Sequence, residues 1–175
     1  MKVLIAAASK HGATSDIARH IGATLTTAGF DVDVRSPRDV ESVTPFDAVI
    51  IGSAVYAGRW LQEARRLIDR DSTALKTKRV WLFSSGPLGD PLMPEDPPEG
   101  LALLGGATHA IQHRVFAGKA DRSTLGFGER AIFALVKAPE GDFRPWEAVG
   151  EWASEIARTL DASRLEAAIP LPAST

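Results

Sequence analysis

Ser9, His11, Gly12, Thr14 and Ser15 fall within one seven-residue stretch, S-K-H-G-A-T-S. Hydroxyls at that density, with backbone N–H groups freed by a glycine, can hold a phosphate. An apolar run from Val3 to Ala8 precedes the stretch, and Ile17, Ile21 and Leu25 follow it at i, i+4 and i+8. A buried strand therefore feeds a helix N-terminus through a small-residue loop. This is how a chain builds an anion site from amides and the positive end of a helix dipole. The same residues also suit an ordinary strand–helix turn capped by Ser or Thr. Two further small-residue stretches follow apolar runs, G-S-A-V-Y-A-G-R-W at 52–60 and S-S-G-P-L-G-D at 84–90. Tyr56, in the first of these, is the chain's one tyrosine.

Several phosphate chemistries are excluded. A dinucleotide loop needs G-x-G-x-x-G, and only Gly12 is present; the G-x-x-x-x-G-K-[ST] loop of nucleotide hydrolases is also missing. The chain has no cysteine, which rules out a cysteine phosphatase, disulfides and thiolate metal sites together. The first strand ends with no acid and the third ends in Gly52-Ser53, so no phospho-accepting aspartate stands at the crevice. Redox chemistry would have to come from a bound cofactor.

The elements that position these loops alternate. We read a strand at Lys2–Ala8, a helix at 14–28 stopped by Gly29, and a strand at Asp31–Arg35. A polar connection at 36–46 leads to a buried strand at 47–52. A helix at 60–70 carries Leu61, Ala64 and Ile68 on one face, with Trp60 as helix core, and a strand at 79–84 follows. Prolines at 87, 91, 94, 97 and 98 exclude a regular element at 86–100, which is a surface loop or a lid. A short helix at 101–107, a last central strand at 113–119 and an apolar helix at 125–138 come next. The helix at 145–160 carries Trp146, Val149, Trp152, Ala153, Ile156 and Leu160 on one stripe, and the tail from Ala162 is expected to fray. Such strand–helix repeats imply one α/β domain at 1–161, a parallel sheet with helices on both faces. Ligands of such sheets sit beyond the carboxyl ends of the strands.

The 175 residues carry 20 basic and 22 acidic side chains, a net charge of −2. There is no basic excess to recruit nucleic acid. No apolar run reaches the ~18 residues that span a bilayer, and the N-terminal run is too short for a signal peptide. The expected location is cytoplasmic. The apolar helix at 125–138 leaves peripheral membrane contact and a homo-oligomer open.

The loop Ser9-Lys10-His11-Gly12-Ala13-Thr14 resembles the T-x-T-G-x-T pattern of flavodoxins, which binds the phosphate of FMN. His11 fills the middle hydroxyl position, which removes one side-chain donor and leaves the backbone donors in place. Residues 51–60 are similar to the flavodoxin loop that edges the flavin ring, with Tyr56 at the stacking position; a rim aromatic is the plainer alternative. The resemblance covers about residues 1–161. It implies a flavodoxin-like doubly wound, five-stranded parallel sheet in the order 2-1-3-4-5. It also implies an FMN site. Ser9, Lys10, His11, Gly12, Ala13, Thr14 and Ser15 would hold the phosphate. Ala54, Val55, Tyr56, Ala57, Gly58, Ser85, Gly86 and Gly89 would line the ring. Gly58 would let its peptide reorient beside the ring.

The C-terminal segments V-F-A-G-K-A-D, V-K-A-P-E-G-D and P-W-E-A-V-G-E-W-A-S-E-I-A look like the subfamily that contains menaquinone-dependent protoporphyrinogen oxidase. That likeness implies an FMN-dependent oxidoreductase that takes hydrogen from a porphyrinogen and passes it to a quinone or another small-molecule acceptor, although these segments are scaffold and do not fix the substrate. No protein acid or base and no metal site is singled out. That subfamily's enzyme carries a basic insertion where this chain has an acidic, proline-rich stretch at 91–100. An electron carrier, and a flavodoxin-like binding module without cofactor, are the competing classes.

Overall fold

Strands β1 (Lys2–Ala8) and β3 (Ala48–Tyr56) begin the sheet with apolar runs that are buried on both faces. A strand covered on both sides reads as a continuous hydrophobic run rather than an alternation, which is the mark of a parallel sheet. The computed structural model describes residues 1–86, 98–120 and 140–168. The expectations placed on 87–97, 121–139 and 169–175 lie outside the described residues; these include Gly89 and the apolar helix at 125–138.

The remaining elements are α1 (Ala13–Thr27), β2 (Asp31–Arg35), β4 (Arg59–Trp60), α2 (Gln62–Leu75), β5 (Arg79–Ser85) and α3 (Leu101–Thr108). After them come β6 (Gln112–Phe116), β7 (Lys119–Ala120), β8 (Gly141–Asp142) and α4 (Trp146–Ala168). The main sheet runs β2-β1-β3-β5-β6, all parallel. This is the expected 2-1-3-4-5 order once the short β4 is set aside. Chain order reverses between β1 and β3, so the crevice opens at their carboxyl ends.

Two cores flank the sheet. On one side Ile17, Ile21 and Leu25 of α1 pack with Val149, Trp152, Ile156 and Leu160 of α4 against Val3, Ile5, Ile50 and Phe83. On the other, Ala64, Leu67 and Ile68 of α2 and Leu104 of α3 cover Leu4, Ala6, Ile51 and Leu82. Each fully buried Leu or Ile contributes about 1.5–3 kcal/mol. Trp152 packs edge-on to Phe116 and Phe83, with ring centroids 5.6 and 6.2 Å away, and its indole N–H donates to Gln112 Oε1 (2.6 Å).

Four boundaries differ from the sequence reading. Strand β3 runs on from 52 to Tyr56, because it pairs with β4 in a tight hairpin, Val55 opposite Trp60 and Tyr56 opposite Arg59. Trp60 is therefore buried from a strand and not from a helix, and α2 starts at Gln62 and extends to Leu75. Strand β6 stops at Phe116, after which Lys119–Ala120 leaves the sheet to pair antiparallel with Gly141–Asp142. Helix α4 continues through the segment expected to fray, as far as Ala168. Buried Leu160 and Ser163 hold that stretch down, and Ser163 Oγ donates to the Thr159 carbonyl (2.8 Å). Trp146 is not on the buried stripe: it is 37% exposed and lies against Arg144 and His20.

Candidate functional site

Ala8, Ser53 and Ser84 lie on one rung at the carboxyl end of the sheet, and Ala54, Ser85 and Phe116 on the next. The three loops expected from sequence leave the sheet here, so their convergence follows from register alone. The first loop, 9–12, enters α1 at Gly12. That residue has φ +87° and serves as the N-cap with no side-chain hydrogen bond closing the helix end. The Ser/Thr-capped turn is thus not what forms. The first helical bond runs from the Asp16 N–H to the Gly12 carbonyl (3.0 Å), and the N–H groups before it have no intrahelical acceptor. Thr14 is buried at 1% exposure, while Ser9, His11, Ala13 and Ser15 are half-buried and Lys10 is exposed.

Tyr56 joins the second loop to the first. Its ring centroid is 6.2 Å from that of His11, and the Lys10 Nζ lies 4.5 Å over its face. A residue 45 positions away from His11 in sequence is thus brought against the β1–α1 loop. Ala57 and Gly58 form the hairpin tip at φ +47° and +73°, the pair of left-handed conformations that a two-residue hairpin demands. The Gly58 carbonyl accepts from the Glu99 N–H (2.7 Å), and Arg59 and Glu99 form an ion pair. The peptide expected to reorient is therefore tied to the segment that precedes α3.

The third loop arrives at Gly86. A Cβ there would lie 3.2 Å from the Val55 carbonyl oxygen, so the Gly86 backbone is pressed against the second loop. Gly118 abuts Gly86 from the other side, where a Cβ would meet the Gly86 Cα at 3.1 Å. Ser85 is buried and pairs with Ala54 on one side and Phe116 on the other. The structure brings together Ser9–Ser15, Ala54, Val55, Tyr56, Ala57, Gly58, Ser85 and Gly86, and Gly89 falls outside the described residues. An uncapped helix end beside a half-buried tyrosine fits the phosphate and ring of FMN.

Sequence reasoning missed a polar chain beneath the site. The Trp60 indole N–H donates to Ser84 Oγ (2.7 Å), and Ser84 Oγ is hydrogen-bonded to His113 Nε2 (2.9 Å). Alongside, Ser53 Oγ donates to the Ala54 carbonyl (2.8 Å) and accepts from the Leu61 N–H (2.9 Å). These bonds lock the hairpin that carries Tyr56 onto β5 and β6. Burial pushes the His113 pKa down from 6.5 to about 4. The unfolded chain takes up that proton near pH 6.5 and the native protein only near 4. The contribution of His113 to stability is therefore full above pH 6.5 and is lost as pH falls from 6.5 to about 4. Urea unfolding across this range should show that acid limb, and His113→Gln should flatten it; an unchanged limb in the variant would assign the loss to other groups.

The fold has counterparts of known structure. An archaeal flavodoxin superposes with TM-score 0.63 at 17% identity, covering 92% of this chain and 99% of that one. Oxidised flavodoxin 1 from Bacillus cereus gives 0.61 at 14% identity, covering 90% and 98%. The flavodiiron core of Flv1 from Synechocystis gives 0.65 at 18% identity, covering 93% of this chain and 36% of that one. At these identities the likeness is one of fold. No curated protein matches the sequence. The family model described as a flavodoxin domain matches residues 4–144, most of the chain, a range that contains all three loops and ends before α4. On that match, and on the sheet order that agrees with it, the chain belongs to the flavodoxin domain family.

Proposed function

We propose that this protein is an FMN-dependent oxidoreductase. The observation that carries the reading is Tyr56 set against the Lys10–His11 segment of the β1–α1 loop. One crevice thereby offers uncapped amides for a phosphate and an aromatic face for a flavin. The backbone of 9–15 would bind the phosphate, with Thr14 buried at the helix start. Val55, Tyr56 and the Gly86 backbone would flank the ring and exclude water from it. When bound, FMN supplies reversible uptake of two electrons with protons, and the protein supplies position and electrostatics. Tyr56 stacking adds dispersion and disfavours extra charge on the ring.

A hydrogen donor of the porphyrinogen class and a quinone acceptor are what the resemblance of the segments at 115–121, 136–142 and 145–157 implies; those segments are scaffold and do not themselves fix the substrate. The near-balanced net charge of −2 agrees, since a carrier that docks on protein partners usually presents a strongly charged face. A second reading, an electron carrier, draws on neighbours that are themselves flavodoxins matched over nearly their whole length. Anaerobic assays of the FMN-loaded protein separate the two. Protoporphyrinogen with a quinone should yield fluorescent porphyrin at a rate proportional to protein. No porphyrin, with rapid reoxidation of the reduced protein by a one-electron acceptor, would establish the carrier instead.

A further inference from the structure

Residues 143 and 144 link the ring side of the crevice to its phosphate side. At the ring side the Phe143 N–H donates to the Gly118 carbonyl (3.1 Å), and Gly118 abuts Gly86. At the phosphate side Arg144 reaches α1. Its Nη1 lies 2.8 Å from Asp16 Oδ2, and its Nε donates to Asp142 Oδ1 (2.7 Å). The guanidinium also sits 4.5 Å over the Trp146 ring, and the side chain is only 7% exposed. A planar fork held by one carboxylate and stacked on an indole is fixed in place before it meets Asp16.

Asp16 is the acid in the first turn of α1, two positions after Thr14. An acid there suits the helix dipole but competes with any phosphate for the same positive end. Arg144 holds the Asp16 carboxyl below the usual carboxylate range, so that acid stays charged and needs a counter-charge; exposed Arg19 supplies a second contact. We propose that Arg144 is a positioning residue for the cofactor phosphate, drawing the Asp16 charge away from the β1–α1 loop so that the phosphorylated flavin is selected over riboflavin. The proposal rests on the FMN reading above.

The test is the affinity of FMN and of riboflavin, each read by flavin fluorescence, for four proteins: wild type, Asp16→Asn, Arg144→Ala and the double variant. Arg144→Ala should weaken FMN about tenfold and leave riboflavin unchanged, the size expected of one charge at a helix N-terminus. Asp16→Asn should strengthen FMN about threefold, and in the Arg144→Ala background it should restore most of the lost FMN affinity. A purely structural Arg144 would weaken both flavins alike and would not be rescued by Asp16→Asn, and that result overturns the proposal. If Arg144→Ala fails to fold, Asp16→Asn decides alone: an unchanged FMN-to-riboflavin ratio overturns it. Wild type that binds neither flavin removes the FMN reading itself, whereas wild type that binds FMN with a ratio insensitive to these changes removes only the role of Arg144.

Discussion

Gly52→Ala should destabilise the protein by about 3 kcal/mol or more, a large part of the ~5–15 kcal/mol that holds a domain folded. Gly52 lies in the middle of β3, opposite Ala7 on β1 and Phe83 on β5. The tip of the Phe83 ring covers it. A Cβ at Gly52 would fall 2.0 Å from Phe83 Cζ and 2.2 Å from Cε1, distances no real contact shows. The ring has no room to swing away, because it is fully buried and boxed in by Phe116 and Trp152. Either the ring leaves its rotamer or β3 separates from β5. Ser53 and Ala54 follow directly, so the loop that carries Tyr56 would shift with them. Phe83→Leu should lose stability alone by leaving a cavity. Combined with Gly52→Ala it should cost at least about 1 kcal/mol less than the sum, because the clash partner is gone. Urea unfolding of the four proteins measures this cycle. Simple additivity would mean that the ring already has somewhere to go.

Gly12→Ala should do the opposite, leaving the fold nearly intact while weakening FMN on the order of 100-fold. Nothing lies within 4 Å of a Cβ placed on Gly12, so crowding contributes nothing to its cost. What remains is backbone conformation. Gly12 sits at φ +87°, beyond the left-handed well near +57° that other residues can occupy, and Ala57 in this chain adopts +47°. An alanine would rotate φ by roughly 30° toward that well, at a cost of about 1 kcal/mol in stability. The same rotation re-aims the N–H groups that open α1. Amide bonds to a charged phosphate contribute about 1.5–3 kcal/mol each, so misdirecting one or two removes about two powers of ten in affinity. Thermal unfolding and FMN titration read the two effects separately. An alanine variant with wild-type affinity would show that this loop does not hold the phosphate.

The sheet was legible because β1, β3 and β5 are buried on both faces, so their apolar runs stand out from the amphipathic helices between them. The strand order came from the resemblance carried by the first two loops. The β3–β4 hairpin was not legible. Its tip is Ala57-Gly58, whereas the strong signal for a two-residue hairpin is Asn-Gly or Asp-Gly, and Trp60 fits a helix face as well as a strand. Just past the early end of β6, Gly118 meets Gly86, a contact 32 positions apart that no local pattern encodes.

The candidate site divides the same way. Hydroxyls and glycines cluster in sequence, so the loop at 9–15 and Tyr56 could be picked out by type and spacing. The Trp60–Ser84–His113 chain crosses three strands, and Ser84 looked like one more small residue of the third loop. Arg144 meets Asp16 across 128 positions, and only the folded chain puts that guanidinium beside the start of α1.

The proposed FMN site depends on the β1–α1 loop and the Tyr56 hairpin acting together. Titration of flavin-free wild-type protein with FMN, followed by fluorescence and by thermal unfolding, tests it most directly. Saturation is expected at one FMN per chain, tighter than riboflavin, with a melting temperature that rises with FMN concentration as a ligand of the native state requires. No saturation and an unmoved melting temperature would contradict it.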